Sequence, residues 1–279
     1  MKSAIFGCIL AFTGVGGLLL GGCREKPAQQ NHTQVTVTNS YLGCAVRDVC
    51  GSQTHVLCLA PPGICPGHFD ISPSQVEKLR DSVVLLFDFQ NQVEQKLARL
   101  KQEEGLKTAL VHPPGGLCVP QTYLEICRQV CDIFSTAHPE AASQYRQRLA
   151  IVEERIKSLE TELLEKVRRE RLSSVRIVAS DHQADFLKWL GLETIATFMG
   201  SDVETAGGVE RCLKQAKGQN VRFVVANKQE GSRLAKAIAQ RLGATAVIFS
   251  NFPENCDSSN GFDELLRTNV KHLLEAAKR

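Results

Sequence analysis

Short apolar runs alternate with helix-like stretches along most of the chain. Val35-Thr36-Val37-Thr38 alternates and is β-branched, which predicts a strand. Further short apolar runs follow at Val56 to Leu59, Val83 to Phe87 and Thr108 to Val111, with a helix-like stretch from Ser74 to Arg80 behind Pro73. From Gln121 to Arg171 the pattern is helical, interrupted near His138-Pro139. In its second part Tyr145, Leu149, Val152, Ile156, Leu159, Leu163 and Val167 step by three and four, one apolar stripe on a helix of about 30 residues. The alternation then restarts. Strands are expected at Val175 to Ala179, Thr194 to Thr197, Val221 to Ala226 and Ala244 to Phe249. Helices are expected at Ala184 to Leu190, Val209 to Ala216, Ser232 to Leu242 and Phe262 to Ala277. Strand–helix alternation marks a parallel sheet covered by helices. The expected fold class is therefore α/β: two lobes, each with a four-stranded parallel sheet, joined by one long connector helix from about Pro139 to Arg171.

The first residues read differently. Met1-Lys2 is a short positive start, Ala4 to Leu20 carries no charge, and Leu20-Gly21-Gly22-Cys23 follows. That is the shape of a signal peptide. The glycines at 7, 14, 16 and 17 make it a poor membrane span. The junction at Cys23 resembles a bacterial lipobox, which implies acylation of that thiol and a membrane-anchored protein outside the cytoplasm, in the periplasm or at the cell surface. Arg24 to Gln34 is polar and reads as a tether. The expected organisation is a lipoprotein signal peptide at 1–22, a tether at 23–34, an N-terminal lobe at 35–137, the connector at 138–172 and a C-terminal lobe at 173–279.

Composition narrows the class. Of 279 residues 43% are hydrophobic, enough for packed cores and too many for general disorder. Lys and Arg number 33 against 30 Asp and Glu, so no basic field exists to hold nucleic acid. There are eleven cysteines; with Cys8 and Cys23 set aside, nine remain, an odd number.

Open parallel sheets bind ligands beyond the carboxyl ends of their strands. With two lobes facing each other, those ends share a cleft. The segments there are Ser40, 61–70, 88–90 and 112–118 in the first lobe, and 180–182, 227–230 and 251–256 in the second. His68, His112 and His182 fall in them, and a neutral imidazole is a common metal donor; a backbone-bonded loop or capping histidine is the plainer alternative. Cys65 and Cys118 fall there too. They could hold a soft metal such as copper(I) or zinc, though an exported context favours a disulfide between the two loops. Gln90, Asn227, Glu230 and Asn251 complete the candidate cleft, with capping and turn chemistry as their plainer role. Cys65 beside His68 could also be a nucleophile and its base, but no orienting third group, G-x-S-x-G, P-loop or H-E-x-x-H accompanies them. The chain is not expected to be an enzyme.

At these residues a resemblance enters. Ala60-Pro61-Pro62-Gly63, Phe69-Asp70 and Ser72-Pro73-Ser74 resemble the signature loop of the extracytoplasmic metal-binding lipoproteins of ABC importers, the zinc/manganese class. The helix after His138-Pro139-Glu140 resembles that family's rigid connector, and Ser180 to Leu192 resembles its ligand-bearing segment. The resemblance implies a receptor that captures a metal ion or small metal complex between its lobes and delivers it to a membrane permease. The family typically holds its metal with three histidines and one carboxylate. Carried onto this chain, those positions are Gly67, Gly115, Ser180 and Asn251, with His68, His112 and His182 one to three residues away. The implication is zinc or manganese, with copper possible, on a changed donor set that includes His68 and His182 facing each other. A non-metal receptor of the same fold, or an adhesin-like lipoprotein that has lost its ligand, stays open.

Overall fold

The computed structural model describes residues 34–60, 71–79, 82–104, 106–200, 203–255 and 260–278. The expected signal peptide, Cys23, most of the tether, and the loop carrying Cys65 and His68 lie outside the described residues.

The first lobe contains β1 (Gln34–Val37), α1 (Ser40–Cys50), β2 (His55–Cys58), α2 (Pro73–Leu79), β3 (Val83–Phe87), α3 (Asn91–Glu104), β4 (Lys107–Val111) and α4 (Pro120–Ala137). A 3-10 turn at Pro139–Ala141 leads into α5 (Ala142–Arg169). The second lobe contains β5 (Arg176–Ser180), α6 (Asp181–Trp189), β6 (Glu193–Phe198), α7 (Ala206–Ala216), β7 (Phe223–Asn227), α8 (Arg233–Leu242), β8 (Thr245–Phe249) and α9 (Gly261–Ala277). All strand pairs are parallel, in the orders β2-β1-β3-β4 and β6-β5-β7-β8. The expected class of two parallel four-stranded sheets bridged by a long helix is the observed one.

The connector helix is held by its stripe. Val152, Ile156, Leu159, Leu163 and Val167 are buried, and each such side chain contributes about 1.5–3 kcal/mol on burial. Its exposed pairs, such as Lys166–Glu162 and Arg169–Glu165, are worth at most about 1 kcal/mol apiece. Packing therefore fixes the helix. Its first turn departs from expectation: Pro139 opens a 3-10 turn, and α-helical geometry begins only at Ala142.

Two helices were not anticipated. In α1, Tyr41, Leu42, Cys44, Ala45, Val46 and Val49 are all buried, because the helix is covered by the first sheet together with α4, α5 and α9. Only Arg47 and Cys50 are part-exposed, which leaves too few solvent-facing positions to mark a helical repeat. Its start is set by Asn39, whose side-chain oxygen accepts from Leu42 N at 3.0 Å. In α3 the sequence is mostly polar, and Val93 and Leu97 supply the buried contacts.

One continuous core runs through both lobes, including Val37, Phe87 and Tyr123 in the first, Ile156 and Leu163 in the connector, and Phe223, Phe249 and Phe262 in the second. Smaller cores cover the outer sheet faces: Leu86, Val93 and Leu97 in the first lobe, and Val224, Ile238 and Cys212 in the second. The lobes interlock through aromatic rings. Phe262 of α9 stacks on Tyr123 of α4 with centroids 3.9 Å apart and meets Tyr41 edge-on at 5.6 Å. Ser40 Oγ donates across to Pro253 O at 2.7 Å. No helix of the described residues is long and apolar enough to cross a membrane.

Candidate functional site

In each sheet the strand order reverses between two central neighbours, β1 and β3 in one and β5 and β7 in the other. A crevice opens beyond the carboxyl ends of strands at such a point. In the first lobe Gln90 closes it: its Oε1 accepts from Thr38 Oγ1 at 2.7 Å, just past β1, and from Phe87 N at 2.9 Å, at the end of β3. In the second lobe β5 ends at Ser180 and runs directly into α6, β7 ends at Asn227, and Asn251 follows β8.

The two crevices meet in a cavity of about 550 Å³. The first lobe gives it Phe89, Gln90, Pro113, Gly115, Gly116 and Leu117. The second gives Asp181, His182, Asp185, Asn227, Gln229, Glu230, Asn251 and Phe252. Three carboxylates and one imidazole face it, with neither Lys nor Arg among its described lining residues. Such a wall raises the local concentration of cations.

The polar lining is internally braced. His182 Nδ1 pairs with Glu230 Oε1, and Asn227 Nδ2 donates to Glu230 Oε2 at 2.6 Å while its Oδ1 accepts from Glu230 N at 3.0 Å. Gln229 Oε1 accepts from Asn251 N at 3.0 Å, and Gln229 Nε2 donates to Ser250 Oγ at 2.9 Å. Gln183 Nε2 donates to Asn251 Oδ1. Behind this shell Ser180 Oγ and Gln183 Oε1 are buried without a hydrogen-bond partner among the described residues. An unpaired buried acceptor costs about 1–3 kcal/mol.

Gly116 N donates to Asp185 Oδ2 across the mouth at 2.9 Å. A Cβ on Gly116 would lie 2.8 Å from Asp185 Cβ, so this close crossing between lobes requires glycine.

The structure thus brings Gln90, His182, Asn227, Glu230 and Asn251 to one cavity. Two expected residues lie elsewhere. His112 is 61% exposed, pairs with Asp88 Oδ2 at 2.9 Å, and lines an outer groove with Arg128, Lys188 and Trp189. The chain after His112 returns to the cavity through Pro113 and Gly115 to Leu117, whereas the His112 imidazole is held outside it by its pair with Asp88. Cys118 is buried in the core, with Asn269 Nδ2 3.7 Å from its sulfur and its thiol directed at Ser250 O at 3.4 Å. It is a free thiol, so the expected bridge to Cys65 is not formed. Burial pushes the Cys118 thiol up to about 12, which keeps it neutral and a poor metal donor. Cys50, Cys127, Cys131 and Cys212 are free thiols as well, and no described cysteine lines the cavity.

Asp185 and Gln183 went unnoticed in the sequence. Asp185 stands four residues after Asp181 on α6, and helical spacing places both on one face. Gln183 is three residues after Ser180, a spacing that carries no chemical signature. Among the described residues no group of three or more His, Cys, Asp and Glu side chains is placed to hold a metal ion. His182 and Glu230 are the two donors found together, and His68, Cys65 and Cys256 lie outside the described residues.

Comparisons with known proteins agree with this architecture. No curated protein matches the chain in sequence. Among solved structures, one of ZnuA matches with a TM-score of 0.71 at 16% identity, covering 88% of this chain and 99% of the other. The solute-binding protein FpvC from Pseudomonas aeruginosa, in complex with Mn2+, matches at 0.73 and 14%, covering 88% and 99%. A cadmium-bound periplasmic metal-binding protein from Candidatus Liberibacter asiaticus matches at 0.73 and 12%, again covering 88% and 99%. At such identities these likenesses carry the fold alone. The family assignment comes from the sequence: residues 35–276 match the family described as zinc-uptake complex component A, periplasmic. The chain belongs to that family, whose members are transport binding proteins and not enzymes.

Proposed function

We propose that this chain is the lipid-anchored solute-binding component of an ABC importer. It captures a transition-metal ion of the zinc or manganese class, or a small complex of one, in the inter-lobe cavity and hands it to a membrane permease. The observation that carries this reading is the His182–Glu230 pair on a cavity wall with three carboxylates and neither Lys nor Arg among its described lining residues. An imidazole nitrogen and a carboxylate oxygen are the donors that zinc and manganese accept. The family match supports metal as cargo, and FpvC and the Liberibacter protein hold manganese and cadmium in the same fold. His68, from the loop at 61–70, is the proposed third donor, and copper is a further candidate cargo. Neither His112 nor Cys118 belongs to this donor set.

Anchoring rests on the Leu20-Gly21-Gly22-Cys23 junction. On this reading residues 1–22 are removed, Cys23 carries the acyl chains, and residues 23–34 tether the lobes 35–137 and 173–279 and their connector 138–172 to the bilayer. Cys23→Ala should abolish processing and release the protein from the membrane fraction. Unchanged fractionation would remove the anchor.

A receptor for a non-metal ligand, or an adhesin-like protein without cargo, draws on one observation: Gly115, Ser180 and Asn251 stand where the resembling family carries donors. Elemental analysis of protein purified from its native host separates the readings. About one equivalent of transition metal supports a metal receptor, and no metal above background contradicts it.

A further inference from the structure

We infer that the cavity takes its metal with a small organic chelator still attached, as a complex without net negative charge. This inference rests on the metal-receptor reading above.

Size is the first ground. Water occupies roughly 30 Å³ in the liquid, so an ion with a full hydration shell takes a minor part of the cavity. At about 550 Å³ the space falls in the range of small-molecule sites, roughly 300–1,000 Å³.

The wall is the second. Phe89 lies on the cavity and is 53% exposed, resting on Phe87 with ring centroids 5.1 Å apart. Leu117, Pro113 and Phe252 continue the apolar surface. A bare ion gains nothing from an aromatic face at the first-lobe wall, whereas the carbon skeleton or ring of a chelator would cover it and be held by it.

Donor count is the third. Among the described residues His182 and Glu230 are the two donors brought together on this wall, and no group of three or more is placed to hold a metal; zinc takes four. A chelator closes that shell with its own atoms, and the second-lobe wall offers polar contacts to it through Asn227, Gln229 and Asn251. Charge then selects among complexes. Asp181, Asp185 and Glu230 repel a metal wrapped in excess carboxylate and admit one that stays cationic or neutral.

The test is titration calorimetry on the folded, metal-stripped protein with four probes: zinc chloride, zinc with one equivalent of histidine, zinc with one equivalent of citrate, and histidine alone. Manganese and copper replace zinc in a second series. The metal–histidine complex should bind at least tenfold more tightly than metal alone, the anionic citrate complex no more tightly than metal alone, and histidine alone not measurably. Phe89→Ala, with its fold checked by circular dichroism, should weaken the histidine complex fivefold or more and leave bare-metal binding unchanged. Bare metal binding as tightly as the complex, or an unchanged complex affinity in Phe89→Ala, overturns the inference while sparing the metal-receptor reading. Preference for the citrate complex, or equal affinity for metal-free histidine, also overturns it. If none of the three metals binds in any form, the metal-receptor reading itself fails and takes this inference with it.

Discussion

Arg155, midway along the connector helix, grips Asp48 of α1 with both guanidinium nitrogens, Nη1 to Oδ1 at 3.0 Å and Nη2 to Oδ2 at 2.5 Å. Its Nε lies 3.2 Å from Asp263 Oδ1 of α9, close enough for electrostatic attraction although not aligned as a hydrogen bond. Tyr123 adds a hydroxyl donated to Asp48 Oδ2 at 2.6 Å. One guanidinium on the connector therefore ties the first lobe to the second. Burial raises the Asp263 carboxyl, and Arg155 opposes that rise. With the shared core, this joint limits wide hinge motion, which on the proposed reading leaves capture to loops at the cavity mouth.

The joint predicts a stability effect. Arg155→Ala leaves buried Asp48 without its cation and Asp263 with only Arg267 at 3.9 Å, and should destabilise the protein by about 3–5 kcal/mol. Urea unfolding followed by circular dichroism measures this. A loss below about 1 kcal/mol would show that the joint contributes no more than a surface pair.

A second ion cluster predicts pH dependence. Hydrogen bonds from Arg267 and Lys166 hold the Glu162 carboxyl down at about 2, against about 4.3 for an unperturbed glutamate. A carboxyl depressed in the folded state contributes stability that is fully present above its unfolded value and is lost as pH falls through the folded one. Between about pH 4.5 and 2 the wild type should therefore lose more thermal stability than Glu162→Gln. Parallel melting-temperature curves across that window would remove Glu162 from the acid response.

Buried thiols predict chemical inertness. Cys118 sits at about 12 because burial opposes its thiolate, and burial likewise raises Cys127 well above its usual value. Iodoacetamide at pH 8 should leave both unmodified in the native protein and label both after unfolding, read by peptide mass spectrometry. Native labelling of Cys118 would mean that its site opens to solvent.

Periodicity exposed some of this and concealed the rest, for physical reasons. The connector was legible because Val152, Ile156, Leu159, Leu163 and Val167 bury one face while the others stay in water. The central strands among the described residues, β1, β3, β5 and β7, lie at short apolar runs because each is covered on both sides. Helix α1 was hidden because only its Arg47 and Cys50 are part-exposed. Within the site, Gln90, Asn227 and Asn251 were legible as residues following strand ends. Asp185 gave no signal because it stands one turn inside α6, past the strand-end loop. Cys118 misled because a cysteine in a strand-end loop of an exported protein reads as half of a loop-to-loop disulfide, whereas the turn at 117–118 folds it inward against Asn269. His112 misled for the opposite reason, since nothing in its spacing reveals that Asp88 holds the imidazole on the outer side.

On the proposed reading, metal is captured in the inter-lobe cavity by His182 with His68 as a further donor. Calorimetric titration of zinc, manganese and copper, each alone and with one equivalent of histidine, into wild type and a His68→Ala/His182→Ala double variant tests it most directly. Wild type should bind at least one of the metals, alone or as its complex, and the double variant should lose that binding by tenfold or more. Equal binding by both proteins would contradict the account.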